Sequence, residues 1–114
     1  MREIVITQDC LDFIDSQDER VITKCFQLIE IMGEVKIVHS NFVKKLQSTQ
    51  FYELRIKAGN EYRIIMFAID HLNFAECKKV ICLCGFKKKS TKEYKKALKQ
   101  AEQILSNYLQ QNGL

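Results

Sequence analysis

Two alternating stretches, Phe51–Lys57 and Glu61–Ile69, joined by Ala58-Gly59-Asn60, constrain this chain more than any other feature. In the first, Tyr52, Leu54 and Ile56 share one side, and Phe51, Glu53, Arg55 and Lys57 the other. A two-residue turn at Gly59-Asn60 pairs Ile56 with Arg63 and mixes the faces. A three-residue loop over 58–60 instead pairs Lys57 with Glu61 and Arg55 with Arg63. It collects Tyr52, Leu54, Ile56, Tyr62, Ile64, Met66 and Ala68 on one apolar face. A one-residue slip turns that whole set to water, so the apolar residues select the register. Glycine in the left-handed position is a common solution for such a loop. Arg55, Lys57 and Arg63 then stand together on the face opposite the core.

The flanking segments supply the rest of a domain. Residues 2–6 read as a short strand, and Thr7 caps a helix from about Gln8 to Ser16 with Cys10, Phe13 and Ile14 on one side. Ser16 or Asp18 caps a second helix, whose Val21, Ile22, Cys25, Leu28, Ile29 and Met32 recur at helical spacing, with Gly33 as its left-handed stop. Between 34 and 50, Val35–Val38 reads as strand and Asn41–Leu46 as a helical turn presenting Lys44 and Lys45. His71–Lys78 reads as a loop and Lys79–Phe86 as a buried strand, with Cys82 and Cys84 on one face. Ser90-Thr91-Lys92-Glu93 is a capping box that opens a last helix. Its apolar stripe is Tyr94, Ala97, Leu98, Ala101, Ile104, Leu105, Tyr108 and Leu109. The order β-α-α-β-β-β-α predicts one α+β domain over residues 1–114, an antiparallel sheet with helices on its core face.

Charge is distributed unevenly along this order. Residues 44–99 hold 14 Lys/Arg against five acids, a net +9, whereas residues 1–43 hold four basic and eight acidic residues. Such a span fits a polyanion partner or a solvated face that maintains solubility. No run approaches the ~20 apolar residues of a membrane helix, and the first residues lack a signal-peptide core, so no membrane association and a cytoplasmic location are expected. Five cysteines without framework spacing read as buried reduced thiols. His39 and His71 match no metal-ligand spacing, so neither a metal nor another cofactor is expected.

Lys45-Leu46, Glu53-Leu54-Arg55, Glu61-Tyr62-Arg63-Ile64 and Gly85-Phe86-Lys87-Lys88-Lys89-Ser90, in this order, resemble the blocks of RelE/HigB-type toxins, most closely the phage-derived branch. The resemblance spans most of the chain in element order and is sharpest over residues 45–101. It implies a RelE-like fold and a ribosome-dependent mRNA endoribonuclease. It also implies neutralisation by a cognate antitoxin, often a helix-turn-helix protein. Arg55 and Arg63 match the strand arginines of that family, Lys87 and Lys88 its basic block, and Tyr94 lies near a tyrosine at the start of the last helix in some members. The His-containing C-terminal motif of other branches is missing.

Cleavage of this kind uses the 2′-hydroxyl as nucleophile on the adjacent phosphate. The protein must remove that proton, stabilise the phosphorane and protonate the leaving oxygen. Arg55 and Arg63 suit the second task, because a guanidinium grips two phosphate oxygens at once; alternatively they pair with Glu53 and Glu61 across the sheet. Lys87 and Lys88 stand among like charges and serve as acid, base or phosphate ligand, or form a solvated run. Tyr94 donates a proton or stacks on a base, or belongs to the apolar stripe. Lys44, Lys45, Lys57, Phe86, Lys89 and Lys92 are the further candidates for RNA contact, with Phe86 also suited to the core. A single groove holding Arg55, Arg63, Lys87 and Lys88 is the expectation. A non-catalytic module binding RNA or protein through the same face is the alternative.

Overall fold

The hairpin forms in the register that its apolar face selects. A computed structural model describes residues 1–113. In it β3 (Tyr52–Ala58) and β4 (Asn60–Ala68) pair Ile56 with Tyr62, Arg55 with Arg63 and Lys57 with Glu61. Gly59 takes φ +79° at the tip, where Arg20 packs against it and donates to the Ala58 carbonyl at 3.3 Å.

Around the hairpin the chain adds β1 (Glu3–Ile6), α1 (Gln8–Asp15), α2 (Glu19–Glu34), β2 (Val43–Lys45), β5 (Lys79–Lys87) and α3 (Thr91–Gln111). Thr7, Asp18 and Ser90 cap the three helices with their side chains. A short 3₁₀ turn, Phe74–Glu76, sits inside the loop before β5. The sheet order is β1-β5-β4-β3-β2.

Several expectations change. β1 pairs with β5 in parallel, Ile4 opposite Val80 and Ile6 opposite Cys82, so the sheet is mixed rather than antiparallel. Two helices intervene after β1, and that long crossover leaves a parallel return available. Residues 43–45 are strand, not a helical turn: the outer edge of β3 needs partners, and Arg55 donates its amide to the Phe42 carbonyl at 2.7 Å. Residues 35–38 are irregular, because the Val35 and Lys36 carbonyls turn inward to the Arg2 guanidinium. Gly33 lies inside α2, which runs on to Glu34, and its carbonyl accepts from the Arg2 amide at 2.7 Å.

Helices cover both faces of the sheet, not one. On the face formed by Tyr52, Leu54, Ile56, Tyr62, Ile64 and Met66, α1 and α2 bury Cys10, Ile14, Val21, Cys25, Leu28 and Met32. On the opposite face α3 buries Ala97, Ala101 and Leu105 against Phe51, Ile65, Ile81 and Leu83. The interior strand β5 is thus buried on both sides, as a continuous apolar run requires.

Cys82 and Cys84 do not share a face. A bulge sets Ile65 opposite Cys84 but Met66 opposite Cys82, so Cys82 joins the first core while Leu83 and Cys84 both turn to the second. All five thiols are free and buried. Burial pushes Cys82 and Cys84 up to about 12 and Cys25 up to about 11, which keeps them as unreactive apolar groups.

After the bulge the backbone of Gly85 meets the Phe13 ring of α1. A Cβ built there lies 2.3 Å from Phe13 Cδ2. Gly85→Ala is therefore expected to lower stability by about 1–3 kcal/mol through overpacking. Urea unfolding of Gly85→Ala, Phe13→Ala and the double variant checks it: the double variant should be more stable than the sum of the single losses.

Candidate functional site

Alternation along β3 and β4 directs Glu53, Arg55, Lys57, Glu61 and Arg63 to the α3 side of the sheet. Glu53 is the innermost of them, 1% exposed. Its Oε1 accepts from the Tyr94 hydroxyl at 2.6 Å and its Oε2 from Arg55 Nε at 2.9 Å, with Arg63 Nε at 3.5 Å. Two hydrogen-bond donors, Tyr94 and Arg55, and the nearby charge of Arg63, from three elements, meet at one carboxylate.

Arg63 is also buried, 2% exposed. Its Nε donates to the Tyr94 hydroxyl at 3.0 Å, its Nη1 to the Tyr62 carbonyl at 3.0 Å and its Nη2 to Glu61 Oε1 at 2.9 Å. Arg55 differs. Its side chain is 34% exposed, and beyond the bond from Nε to Glu53 its terminal nitrogens make no hydrogen bond among the described residues. Both arginines do pair with Glu53 or Glu61, yet only Arg63 is consumed by that pairing.

Tyr94 reaches the cluster because the start of α3 is fixed. Glu93 Oε1 accepts from the Lys89 and Ser90 amides, both at 2.7 Å, and the Lys92 amide donates to Ser90 Oγ at 3.3 Å. The Phe86 ring then packs edge-on against Tyr94 with centroids 4.9 Å apart. Phe86 is thus a half-buried packing residue, and Tyr94 combines a packed ring with a hydroxyl inside the polar cluster.

Ionisation in the cluster is driven away from neutrality. The hydrogen bond from Arg63, and then its charge, hold the Glu61 carboxyl below its usual range, with Lys88 and Lys57 adding to this. Burial opposes the Arg63 charge, but the bonds to Glu61 and Tyr94 outweigh it and raise the pKa further. Burial and the bond donated to Glu53 push the Tyr94 hydroxyl up, so it remains protonated.

The lysines divide by register. Lys88 donates its amide to the Glu61 carbonyl at 2.8 Å, Lys57 lies opposite Glu61, and Lys44 lies opposite Glu53. Lys87 lies opposite Tyr62 and Lys45 opposite Tyr52. Lys45 Nζ sits 5.7 Å over the Tyr52 ring. Of the expected groove of Arg55, Arg63, Lys87 and Lys88, pairing brings together Arg55, Arg63 and, through its amide bond to Glu61, Lys88, whereas Lys87 pairs with Tyr62 and lines a cavity with Phe86, Glu93 and Lys96. Lys89 and Lys92 are exposed at the start of α3. His39 and His71 accept loop amides from Asn41 and Asn73 through Nδ1, and no contact links them to the cluster. Among the described residues no group of three His, Cys, Asp or Glu side chains is gathered to hold a metal ion. No helix among them is long and apolar enough to cross a membrane.

Sequence reasoning assigned Glu53 only as a possible partner of the arginines. A signal was present: an acid in the same strand, two residues from one arginine and opposite the apolar Ile65.

A family profile described as "Phage derived protein Gp49-like (DUF891)" matches residues 12–106, which include every member of the cluster. The chain belongs to this family, which is associated with toxin–antitoxin systems and related to RelE-type toxins. Membership implies a cognate antitoxin as partner. No curated protein and no solved structure matches.

Glu53→Gln leaves two arginines without the carboxylate they share and is expected to cost about 3–5 kcal/mol of stability. Tyr94→Phe removes a neutral donor and is expected to cost about 1–3 kcal/mol. Tyr94 has a second signature. Its pKa in the folded protein lies above the ordinary 10.0, so its contribution is complete below pH 10 and is lost as pH rises through the folded value. Thermal unfolding above pH 10 should decline less steeply in Tyr94→Phe than in the parent.

Proposed function

We propose that this Gp49-like chain is the toxin of its toxin–antitoxin pair: a RelE-like domain that cleaves ribosome-bound mRNA by attack of a 2′-hydroxyl on the adjacent phosphate. One observation carries the reading. Arg55 is anchored through Nε to the buried Glu53, its terminal nitrogens remain unpaired, and Lys44, Lys57 and Lys88 are placed by register on the same side of the sheet. An oriented guanidinium in a basic surround binds a phosphodiester and stabilises the extra charge of the phosphorane.

The roles then separate by burial. Arg55 is the residue that touches phosphate, with Lys88 and Lys57 as additional cations. Lys44, Lys89 and Lys92 extend the RNA path. Glu53 and Tyr94 position the arginines: a carboxylate held by two donors beside a second guanidinium is a poor base, and Tyr94 retains its proton. Because the shifted groups lie away from neutrality, charge stabilisation supplies the rate enhancement. Proton transfers then fall to water or to groups brought by the ribosome, which supports ribosome dependence. The antitoxin, by family pattern a helix-turn-helix protein, brings acidic side chains to the same face.

The same shifts favour a second reading, in which the face binds RNA or protein without cleaving. Primer extension on a reporter mRNA in a translating extract separates the two. The parent is expected to cut only ribosome-engaged message. Arg55→Ala is expected to lose about 10²–10³ in rate, and His39→Ala and His71→Ala are expected to cut like the parent. An Arg55→Ala protein that cuts at the parental rate removes Arg55 from the mechanism, and a parent that neither cuts nor arrests growth selects the second reading. Arg55→Glu with Lys88→Glu is also expected to abolish co-purification of the antitoxin; an intact complex would place the antitoxin on another surface.

A further inference from the structure

Arg63 has a single hydrogen bond that ends near solvent. Its Nε and Nη1 are committed to Tyr94 and to the Tyr62 carbonyl inside the fold, whereas Nη2 meets Glu61, whose side chain is 51% exposed. Glu61 is the second residue of β4, beside the hairpin tip and opposite Lys57, and its carbonyl accepts the Lys88 amide. A carboxylate thus occupies the point at which a buried arginine and the backbone positions of two lysines converge.

We infer that Glu61 holds the seat of an RNA phosphodiester on Arg63 Nη2, and that RNA binding displaces it. The inference rests on the RNA-directed reading of this face. Carboxylate and phosphate present the same paired acceptors to a guanidinium, so one substitutes for the other without moving Arg63. Glu53 cannot leave, being buried and held by the Tyr94 hydroxyl and Arg55 with the Arg63 charge beside it. Glu61 can, because its own side chain is half-exposed and swings into water while the incoming phosphate takes over the bond from Nη2. Glu61, an ordinary carboxylate whose pKa Arg63 lowers further, is ionised at neutral pH and competes with every incoming anion.

Displacement also makes Glu61 a specificity residue. A lone phosphate must replace a tethered carboxylate with nothing further to gain. A polynucleotide brings neighbouring phosphates to Arg55, Lys57 and Lys88 in the same event, and these offset the exchange. The seat therefore rejects free phosphate and mononucleotides and admits a strand.

The test is fluorescence anisotropy with a single-stranded 2′-O-methyl RNA oligomer, which carries the phosphates but cannot be cleaved. Glu61→Gln is compared with Glu102→Gln, an equal loss of charge on the exposed side of α3. Glu61→Gln is expected to bind roughly fivefold tighter than the parent with an unchanged dependence of log Kd on log salt, because the phosphate contact on Arg63 is made in both. A slope steeper by about 0.7 would mean that the contact forms only once Glu61 is removed, and would overturn displacement. Glu102→Gln is expected to change binding by less than about twofold with the parental slope, since it alters only the screened field. Inorganic phosphate should compete with the oligomer more effectively on Glu61→Gln than on the parent. Equal affinity of the two variants overturns the inference and leaves the RNA reading standing. Failure of the parent and both variants to bind the oligomer overturns the RNA reading together with the inference.

Discussion

A carboxylate taken out of water is tolerated only where donors replace the water it loses, and the Glu53 carboxylate sets that condition for the centre of this fold. Its donors arrive from β3 itself and from the first turn of α3, and the Arg63 charge of β4 lies beside it. The hairpin register and the seating of α3 are thereby coupled. A slip of one residue moves Glu53 to the α1/α2 face, leaving Tyr94 without its acceptor and Arg63 without the carboxylate beside it. Replacing such a network by apolar groups often stabilises a protein. Its retention here is explained by what it does to Arg55, which it orients through Nε while leaving the rest of the guanidinium free.

The register was legible because an apolar set of seven residues reads the same way from both strands. The depth of the polar residues was not. Alternation assigns a side chain to a face but says nothing of what covers that face, so Glu53 and Arg63 read as solvent-facing until α3 lies over them. The covering helix had left a trace: Phe51, Ile65 and Phe67 share that supposedly open face, and all pack in the second core. The bulge in β5 was hidden for a related reason. In the run Val80–Cys84 every residue is apolar, and an inserted residue leaves no phase change to detect. A four-residue strand such as β1 carries no directional signal, so its parallel pairing had to come from the tertiary structure.

Arg2 shows the same limit at the other end of the sheet. Its guanidinium donates to the carbonyls of Met32, Val35 and Lys36 behind α2, and to those of Phe74 and Ala75 in the 3₁₀ turn, with the Phe74 ring 4.8 Å beneath it. These include orphan carbonyls that the end of α2 leaves without intrahelical partners, and a cation there also complements the helix dipole. One side chain thus ends a helix, draws residues 35–36 away from strand geometry and ties β1 to the loop before β5. Nothing in the local sequence distinguishes this arginine from a solvated one. Its partners lie about 30 and 70 residues away, beyond the reach of any local periodicity.

The basic span of the chain therefore has two physically distinct parts. Arg55 and Arg63 balance Glu53 and Glu61, so the ordered cluster carries no net charge of its own, and the excess resides on lysines such as Lys44, Lys57, Lys88, Lys89 and Lys92. Exposed lysines generate a field that draws a polyanion, and ions screen that field over about 8 Å at physiological salt. The arginines act only at contact, where burial and fixed hydrogen bonds make their geometry insensitive to salt. A neutral, rigid cluster inside a mobile cationic surround separates attraction from orientation. Under the proposed RNA-directed function, strands are gathered by charges that need no fixed position and are aligned by a guanidinium whose position Glu53 has already fixed.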